Sequence, residues 1–224
     1  MLASPLTRLH KRLSTTGLST TGLSTFTAAP RGPSLSGLLL SAAFAAASGL
    51  ALAHLWIRHR RALARDRAHW AALASRRGWH LVERSGSFAV IGTIAGASFH
   101  ISQGAVAHGE IGVFLETRLP RSPWLICELF AHSSPVAATA RHPGQRVETE
   151  PGLQLWSNHR ARAPQLCDEA VRTALKQLPR PYLLHQNGIV LLIWPCPALP
   201  SDSQLDAALA CVAALARAGQ ALAG

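Results

Sequence analysis

Two histidines and a glutamate near the middle of the chain offer the best arrangement for chemistry. His100 lies in a predicted strand, 98–102, and His108 and Glu110 precede the next predicted strand, 111–119. Because strands joined by a short connection lie side by side, these three side chains can face each other across a hairpin. Imidazole and carboxylate groups bind zinc and serve in general acid–base catalysis, so these three residues are the catalytic candidates. With no fourth ligand at a suitable spacing, we predict no metal site and no cofactor.

Other motifs that carry chemistry are missing from the sequence. It contains neither the phosphate loop G-x-x-x-x-G-K-[ST] nor the dinucleotide fingerprint G-x-G-x-x-G. The nearest approach to a nucleophile elbow, Gly96-Ala-Ser98-Phe-His100, has histidine in place of the second glycine. Glu116 and Glu128 fall on neighbouring predicted strands, so a cross-strand carboxylate pair could form. Nothing else in the sequence indicates a glycosidase. We therefore interpret the chain as a binding module, with an enzyme using a His/Glu site as the alternative.

The four cysteines are widely spaced along the second half of the chain. They are Cys127, Cys167, Cys196 and Cys211. No Cys-x-x-Cys pair is present, which excludes a zinc ribbon and a thioredoxin-like redox motif. An even number of cysteines permits disulfides in an exported domain, whereas a reducing compartment favours buried free thiols. We predict free thiols.

Most of the net charge of +11 lies at the N-terminal end. Residues 1–67 contain nine Lys/Arg and one acid, giving +8, and residues 68–224 contain thirteen and ten, giving +3. The basic residues therefore flank an apolar stretch, where they set membrane orientation rather than contact phosphates. No predicted strand interleaves aromatic with basic residues, so we do not predict nucleic-acid binding.

The stretch from Leu35 to Ile57 is long and apolar enough to cross a membrane. It contains no Asp, Glu, Lys or Arg, and at about 1.5 Å per residue a helix of this length covers a hydrocarbon core of about 30 Å. Ala51-Leu52-Ala53 has the form of a signal-peptide cleavage site, but the apolar run is longer than a signal core. We predict one transmembrane helix over 35–57 that acts as a signal anchor.

Five arginines follow the predicted span at once. They are Arg58, Arg60, Arg61, Arg65 and Arg67. Only Arg31 lies within about 20 residues on the other side, so the positive-inside rule places the C-terminal domain in the cytoplasm. We predict the bacterial inner membrane, with the mitochondrion as the alternative because residues 1–34 resemble a transit peptide. The arginines either bind anionic lipid headgroups or only fix the topology.

Small residues recur at every fourth position of the predicted span. They are Gly37, Ser41, Ala45, Gly49 and Ala53. Small residues at this spacing allow two helix backbones to approach closely. One interpretation is self-association through this face, and the other is a composition rich in small residues throughout the helix. The expected partners are the lipid bilayer, a second copy of the chain and a protein that the sequence does not identify.

The chain divides into four segments by composition. They are a disordered basic Ser/Thr-rich tail (1–34), the transmembrane helix (35–57), an arginine-rich juxtamembrane helix (58–78) and a soluble domain (79–224). In the domain, four or five strands precede one helix over 164–178, a hairpin around Asn187-Gly188 and a C-terminal helix from Ser201. This order predicts an α+β fold, an antiparallel sheet with helices packed on one face.

Three segments of the chain resemble a group of bacterial proteins with one N-terminal membrane helix and a small cytoplasmic α+β domain. They are Trp70–Gly78 (WAALASRRG), Gly92–Gly96, and the hairpin and helix from Tyr182 onward. The resemblance implies the same single-pass layout for this chain. It implies no activity and no catalytic residue.

Overall fold

The computed structural model describes residues 35–84, 87–119, 125–142 and 144–223, with the backbone alone for 35–47, Arg84 and His108. The predicted disordered tail, 1–34, lies outside the described residues. The chain divides into two compact units, 1–52 and 53–224. The α+β domain belongs to the second unit.

The described residues form four helices and nine strands. The helices are α1 (Leu35–Arg77), α2 (Ala163–Leu166), α3 (Glu169–Lys176) and α4 (Asp202–Ala223). The strands are β1 (His80–Arg84), β2 (Ser87–Ile94), β3 (Ala97–Ala105), β4 (Ile111–Arg118), β5 (Ile126–Ala131), β6 (Gln145–Val147), β7 (Leu153–Ser157), β8 (Tyr182–Gln186) and β9 (Ile189–Pro195). The predicted α+β class is confirmed.

All nine strands belong to one antiparallel sheet. Its order is β1-β2-β3-β4-β9-β8-β5-β7-β6. The first four strands form the predicted meander, but β5 leaves it, because the β8–β9 hairpin lies between β4 and β5. The hairpin turn itself is as predicted, since Asn187 and Gly188 both have the positive φ angles of a type I′ turn.

The helices pack on one face of the sheet, as predicted. Trp70 and Leu73 of α1 and Leu205 of α4 belong to the main apolar cluster, together with strand residues such as Val90 and Leu129. A smaller cluster occupies the opposite face. Its buried members are Phe130, Ala137, Tyr182 and Ile193, and they come from strands and one short turn. We call this second side the helix-free face.

The C-terminal helix α4 requires a correction to the predicted membrane topology. Among the described residues, α4 is the helix that is long and apolar enough to span a membrane, whereas we predicted that property for 35–57. Part of the predicted span, 35–47, has no described side chains. In α4, Leu205, Val212 and Leu215 are fully buried in the main core. Because these side chains already have protein partners, we interpret α4 as a core helix of the domain.

The last turns of α1 are part of the domain core. Trp70 and Leu73 are each only 1% exposed, although the sequence boundary at residue 78 placed them outside the domain. Their spacing puts both on one helical face, which packs against the sheet. The helix ends at Gly78, where φ is +66° and the Trp79 N–H donates to the Ala74 carbonyl at 2.8 Å. This is a Schellman cap, which sets the direction of the chain into β1.

Ion pairs add to the contact between α1 and the rest of the domain. Arg77 binds the carboxylates of Asp202, at 3.2 Å, and Asp206, both on α4. Arg67 binds Glu83 of β1 at 3.2 Å. Since the Arg77 side chain is also 5.4 Å from the Trp79 ring, it combines two charge contacts with stacking.

Replacing Arg77 with alanine is expected to lower the free energy of unfolding of the domain by about 1–2 kcal/mol. Arg76→Ala is the matched control, because Arg76 is exposed and reaches Asp202 only at 3.5 Å, and we expect a change below about 0.5 kcal/mol. Chemical denaturation at low and high salt measures both variants. Equal losses in the two variants would show that the contacts of Arg77 do not stabilise the packing of α1 against the rest of the domain.

The predicted helix over 164–178 is two helices. Cys167 has non-helical φ and ψ angles of −94° and 57°, and it separates α2 from α3. Asp168 then caps α3, because its carboxylate accepts a hydrogen bond from the Val171 N–H at 2.9 Å. The C-terminal helix begins next to Ser201, as predicted, and Ser201 caps it, because Ser201 and Gln204 exchange hydrogen bonds between side chain and backbone.

Candidate functional site

One row of paired residues crosses the sheet on the helix-free face. Its members, in sheet order, are His100, Glu116, Leu191, Leu184, Glu128, Trp156 and Arg146. These positions alternate along each strand with residues of the main core, so they point away from the helices. The row places polar and ionisable residues at its two ends and apolar residues in its middle.

Glu128 is the centre of a buried polar group on this face. Its side chain is only 6% exposed, and one carboxylate oxygen lies 2.7 Å from Nδ1 of His142. The Tyr182 hydroxyl donates a second hydrogen bond to Glu128. A buried carboxylate is tolerated when it has charged or hydrogen-bonding partners, and here it has both.

Tyr182 keeps its proton in this environment. Burial, the negative charge of Glu128 and the hydrogen bond to it together raise the pKa of the Tyr182 phenol well above its usual range. The phenol therefore acts as a hydrogen-bond donor to the carboxylate.

Four aromatic rings stack next to this carboxylate. The His142 ring lies between Trp156 and Phe130, with centroid distances of 4.9 and 5.0 Å and interplanar angles below 20°. Phe130 stacks in turn on Tyr182 at 6.0 Å. His142 ends the segment 132–142, whose Val136 and Ala137 pack on the helix-free face. The stack and the Glu128 contact therefore hold this covering segment on the sheet.

The Glu128–His142 pair has the geometry of an oriented imidazole. Because ionised Glu128 can only accept hydrogen bonds, Nδ1 of His142 is the donor, which leaves Nε2 for solvent or a ligand. A quarter of the His142 side chain is exposed. Such a ring can accept a proton or a hydrogen bond at Nε2, and the flanking aromatic faces suit an apolar or planar group.

Two of the three predicted catalytic candidates, His100 and Glu110, lie apart on the sheet. His100 pairs in register with Glu116, five residues along β3 from the hairpin end at Ala105, whereas Glu110 lies beyond that end and binds Arg180 at 2.8 Å. The His108 side chain is outside the described residues. Over the described part of the chain, no group of three or more His, Cys, Asp or Glu side chains is arranged to hold a metal ion.

The cross-strand pair of Glu116 and Glu128, which the sequence left possible, does not form. Two strands, β9 and β8, separate them, with Leu191 and Leu184 at the intervening positions. Strands that are consecutive in sequence are usually neighbours in a sheet, but here the β8–β9 hairpin lies between β4 and β5. Because this hairpin comes from residues more than 50 positions later, no local pattern in the sequence indicates the insertion.

Sequence reasoning missed the Glu128–His142–Tyr182 group. Its members lie on β5, β8 and the loop before β6, and only the sheet order brings them together. The available signal was Glu128 itself, a carboxylate in the middle of the apolar strand sequence ICELFA. A charge at such a position needs a partner from elsewhere in the chain.

Two shallow depressions lie away from this group. One is between α3 and α4 and is lined by Glu169, Thr173, Gln177 and Ala210 among others. The other is lined by Glu148, Thr149, Glu150 and Arg172 among others. In the second, the carboxylate of Glu150 is bound by Lys176 and Arg172, so its charge is already paired.

The residues predicted to act at the membrane belong to α1. Gly49 and Ala53 are exposed, and Gly37, Ser41 and Ala45 lie where side chains are not described. The five arginines of the juxtamembrane segment are exposed as well. They are Arg58, Arg60, Arg61, Arg65 and Arg67. The guanidinium of Arg60 lies 4.3 Å from the centroid of the Trp56 ring, a cation–π contact.

Comparisons with known proteins add little to this geometry. The fold defines the chain as an α+β protein built on a single antiparallel sheet. No protein-family model matches it, and neither does any curated protein sequence. Among solved structures, it is similar to the crystal structure of the mycobacterial trehalose monomycolate transport factor A, TtfA, at 15% identity and a TM-score of 0.48. The match covers 70% of this chain and 94% of that chain, and at this distance it carries no argument about function.

Proposed function

We propose that the protein is a membrane-anchored interaction module, with α1 as the single-pass anchor and the α+β domain as the binding part. The observation that carries the proposal is the exposure of large apolar side chains along α1. Leu50, Leu52 and Leu55 are 73%, 67% and 60% exposed. A run of large exposed apolar side chains is typical of a surface that lipid or another protein covers.

The arginines after this run support lipid as the covering medium. Trp56 and Arg60 form a cation–π pair where an interfacial aromatic belt is expected. Each basic residue near an anionic membrane surface contributes roughly 1 kcal/mol of attraction. By the positive-inside rule the same arginines support a cytoplasmic α+β domain, and the membrane proposed is the bacterial inner membrane, with a mitochondrial membrane as the alternative.

Two further parts of the proposal concern partners. Close approach of two copies through the small residues of α1 would give a homo-oligomer in the bilayer. The helix-free face is the surface proposed for a protein partner. It presents the half-buried apolar residues Leu184 and Leu191 beside the ionisable residues Glu116 and His100.

The anchor is tested by changing its apolar run within the full-length chain. The double variant Leu50→Arg, Leu52→Arg shortens the uncharged part of the predicted apolar span to residues 35–49, below the roughly 17 apolar residues that a span needs. We expect the wild type to stay in the membrane pellet after an alkaline carbonate wash and most of the double variant to be released. Ala64→Arg is the control, because Ala64 is exposed and lies beyond the predicted span. Release of the wild type, or of all three proteins equally, would end the proposal.

A second candidate function is an enzyme that acts on a membrane-proximal substrate. The observation in its favour is the 2.7 Å contact between Glu128 and Nδ1 of His142, which orients the imidazole for proton transfer at Nε2. The full-length protein would be incubated with a membrane lipid extract, which is then profiled by mass spectrometry. An enzyme predicts a change in the lipid profile that disappears in His142→Gln, and identical profiles would exclude this substrate class.

A further inference from the structure

Three arginines of α1 form one stripe along its exposed surface, just beyond the predicted membrane span. They are Arg58, Arg61 and Arg65, at i, i+3 and i+7 positions that share one helical face. All three are exposed. Within the described residues, the ion pairs of α1 belong to other arginines, which bind carboxylates of β1 and α4. The arginine stripe therefore has three positive charges with which no carboxylate of the described chain pairs.

The side chain of Arg65 runs back along the helix toward the predicted span. Its Nε donates a hydrogen bond to the Arg61 carbonyl at 3.3 Å, one turn nearer the membrane end. Helical side chains generally point toward the helix N-terminus, and here the span lies at that end. At about 1.5 Å per residue, Arg61 lies about 6 Å beyond Ile57, and the headgroup layer on each side of a bilayer is about 5–8 Å thick. The arginine stripe thus reaches the depth of the lipid phosphates.

We propose that Arg61 and Arg65, assisted by Arg58, bind the phosphate of an anionic phospholipid of the bilayer. This inference rests on the proposed membrane anchor and adds a lipid preference to it. Residues four apart are neighbours on a helix surface, so the two guanidinium groups can reach one phosphate. Each guanidinium offers two parallel N–H donors to a phosphate, a pairing stronger than a hydrogen bond between neutral groups.

Charge complementarity selects an anionic headgroup over a zwitterionic one. A zwitterionic headgroup carries an ammonium group beside its phosphate, and three unpaired arginines repel that group. An anionic headgroup such as phosphatidylglycerol has the phosphate charge alone. The stripe therefore matches a lipid whose headgroup has a net negative charge.

The other two arginines of the juxtamembrane segment already have partners within the chain. The guanidinium of Arg60 lies 4.3 Å from the centroid of the Trp56 ring. Nε of Arg67 lies 3.2 Å from the Glu83 carboxylate, which directs this side chain to the domain. The five arginines of the segment therefore differ in their contacts, and the lipid site is assigned to the three that form the stripe.

The test is a lipid titration of the full-length protein in detergent micelles, read by native mass spectrometry. Phosphatidylglycerol and phosphatidylcholine with identical acyl chains are the two probes. We expect the wild type to bind the first phosphatidylglycerol about tenfold or more tightly than phosphatidylcholine, since each basic contact contributes about fivefold. Inorganic phosphate at the same concentration should not displace the lipid, because it lacks the acyl chains that hold the headgroup beside α1.

Two double variants with the same loss of charge separate the stripe from general electrostatic attraction. Arg61→Gln with Arg65→Gln should lose the preference for phosphatidylglycerol. Arg67→Gln with Arg76→Gln should keep it, because these two arginines pair with carboxylates of the domain. All four side chains are exposed, so we expect both variants to fold.

Three results would overturn the inference. They are a wild type that binds both lipids equally, an equal loss of preference in the two double variants, and displacement of the lipid by inorganic phosphate. The alkaline carbonate wash tests the anchor separately. A wild type that stays in the membrane pellet but shows no lipid preference would contradict this inference and leave the anchor in place.

Discussion

Replacing Trp70 with alanine is expected to lower the free energy of unfolding of the domain by about 3–5 kcal/mol. Trp70 belongs to the helix that carries the predicted membrane span, yet its side chain is buried in the main core of the domain. Alanine would remove the buried ring and leave a cavity that the sheet cannot fill without rearrangement. Chemical denaturation of the full-length protein in detergent micelles, followed by circular dichroism, measures the loss.

Leu55→Ala is the control for this result. Leu55 lies on the same helix but is 60% exposed, so its truncation should change the unfolding free energy of the domain by less than about 0.5 kcal/mol. If Trp70→Ala were as stable as Leu55→Ala, the end of α1 would not be part of the domain core.

Glu128→Ala is expected to cost about 3 kcal/mol, because it leaves the buried Tyr182 hydroxyl and Nδ1 of His142 without their acceptor. It should also free the covering segment 132–142 from the helix-free face. Trypsin cleaves after Arg141, which is exposed within this segment. Cleavage there should accelerate at least several-fold in the variant under native conditions, since proteolysis follows local opening.

Glu116→Ala is the matched control on the same row of the sheet. Glu116 is half-buried on β4, and two strands separate it from Glu128. We expect a loss below about 1 kcal/mol and an unchanged rate of cleavage after Arg141. An equal effect of the two substitutions would mean that Glu128 is not the residue that holds the covering segment.

The parts of the fold that the sequence predicts well are those set by local backbone geometry. Asn187-Gly188 forms the predicted turn because both residues adopt positive φ angles. Gly78 ends α1 for the same reason, and Ser201 caps α4 through its own hydroxyl. In each case the determining contacts lie within about four residues, so a single stretch of sequence contains the whole signal.

The sheet order and the candidate site depend on contacts between distant residues. The β8–β9 hairpin pairs with β4 and β5 through backbone hydrogen bonds that any apolar strand could make. Its insertion separates Glu116 from Glu128 and brings Tyr182 next to Glu128. The polar group on the helix-free face follows from this insertion, and hydrophobic patterning along single strands does not contain it.

The boundary between anchor and domain was misplaced for a related reason. Trp70, Leu73 and Ala74 form one apolar face of a helix. Such a face predicts burial, but it does not identify the element or medium that covers it. The arginines around them favoured a separate juxtamembrane segment. In the structure the same residues complete the core next to the sheet, and Arg77 binds Asp202 and Asp206 of α4.

Hydrogen–deuterium exchange of the full-length protein in lipid nanodiscs tests most directly whether one helix is both membrane anchor and core element. If α1 has both roles, its amides should be protected without a break from Leu50 to Arg77. Residues 35–57 should also remain protected when denaturant unfolds the domain, because the bilayer shields them. Rapid exchange throughout 35–57 in the nanodisc would show that α1 is not the anchor, since a helix that crosses the bilayer cannot exchange its amides freely.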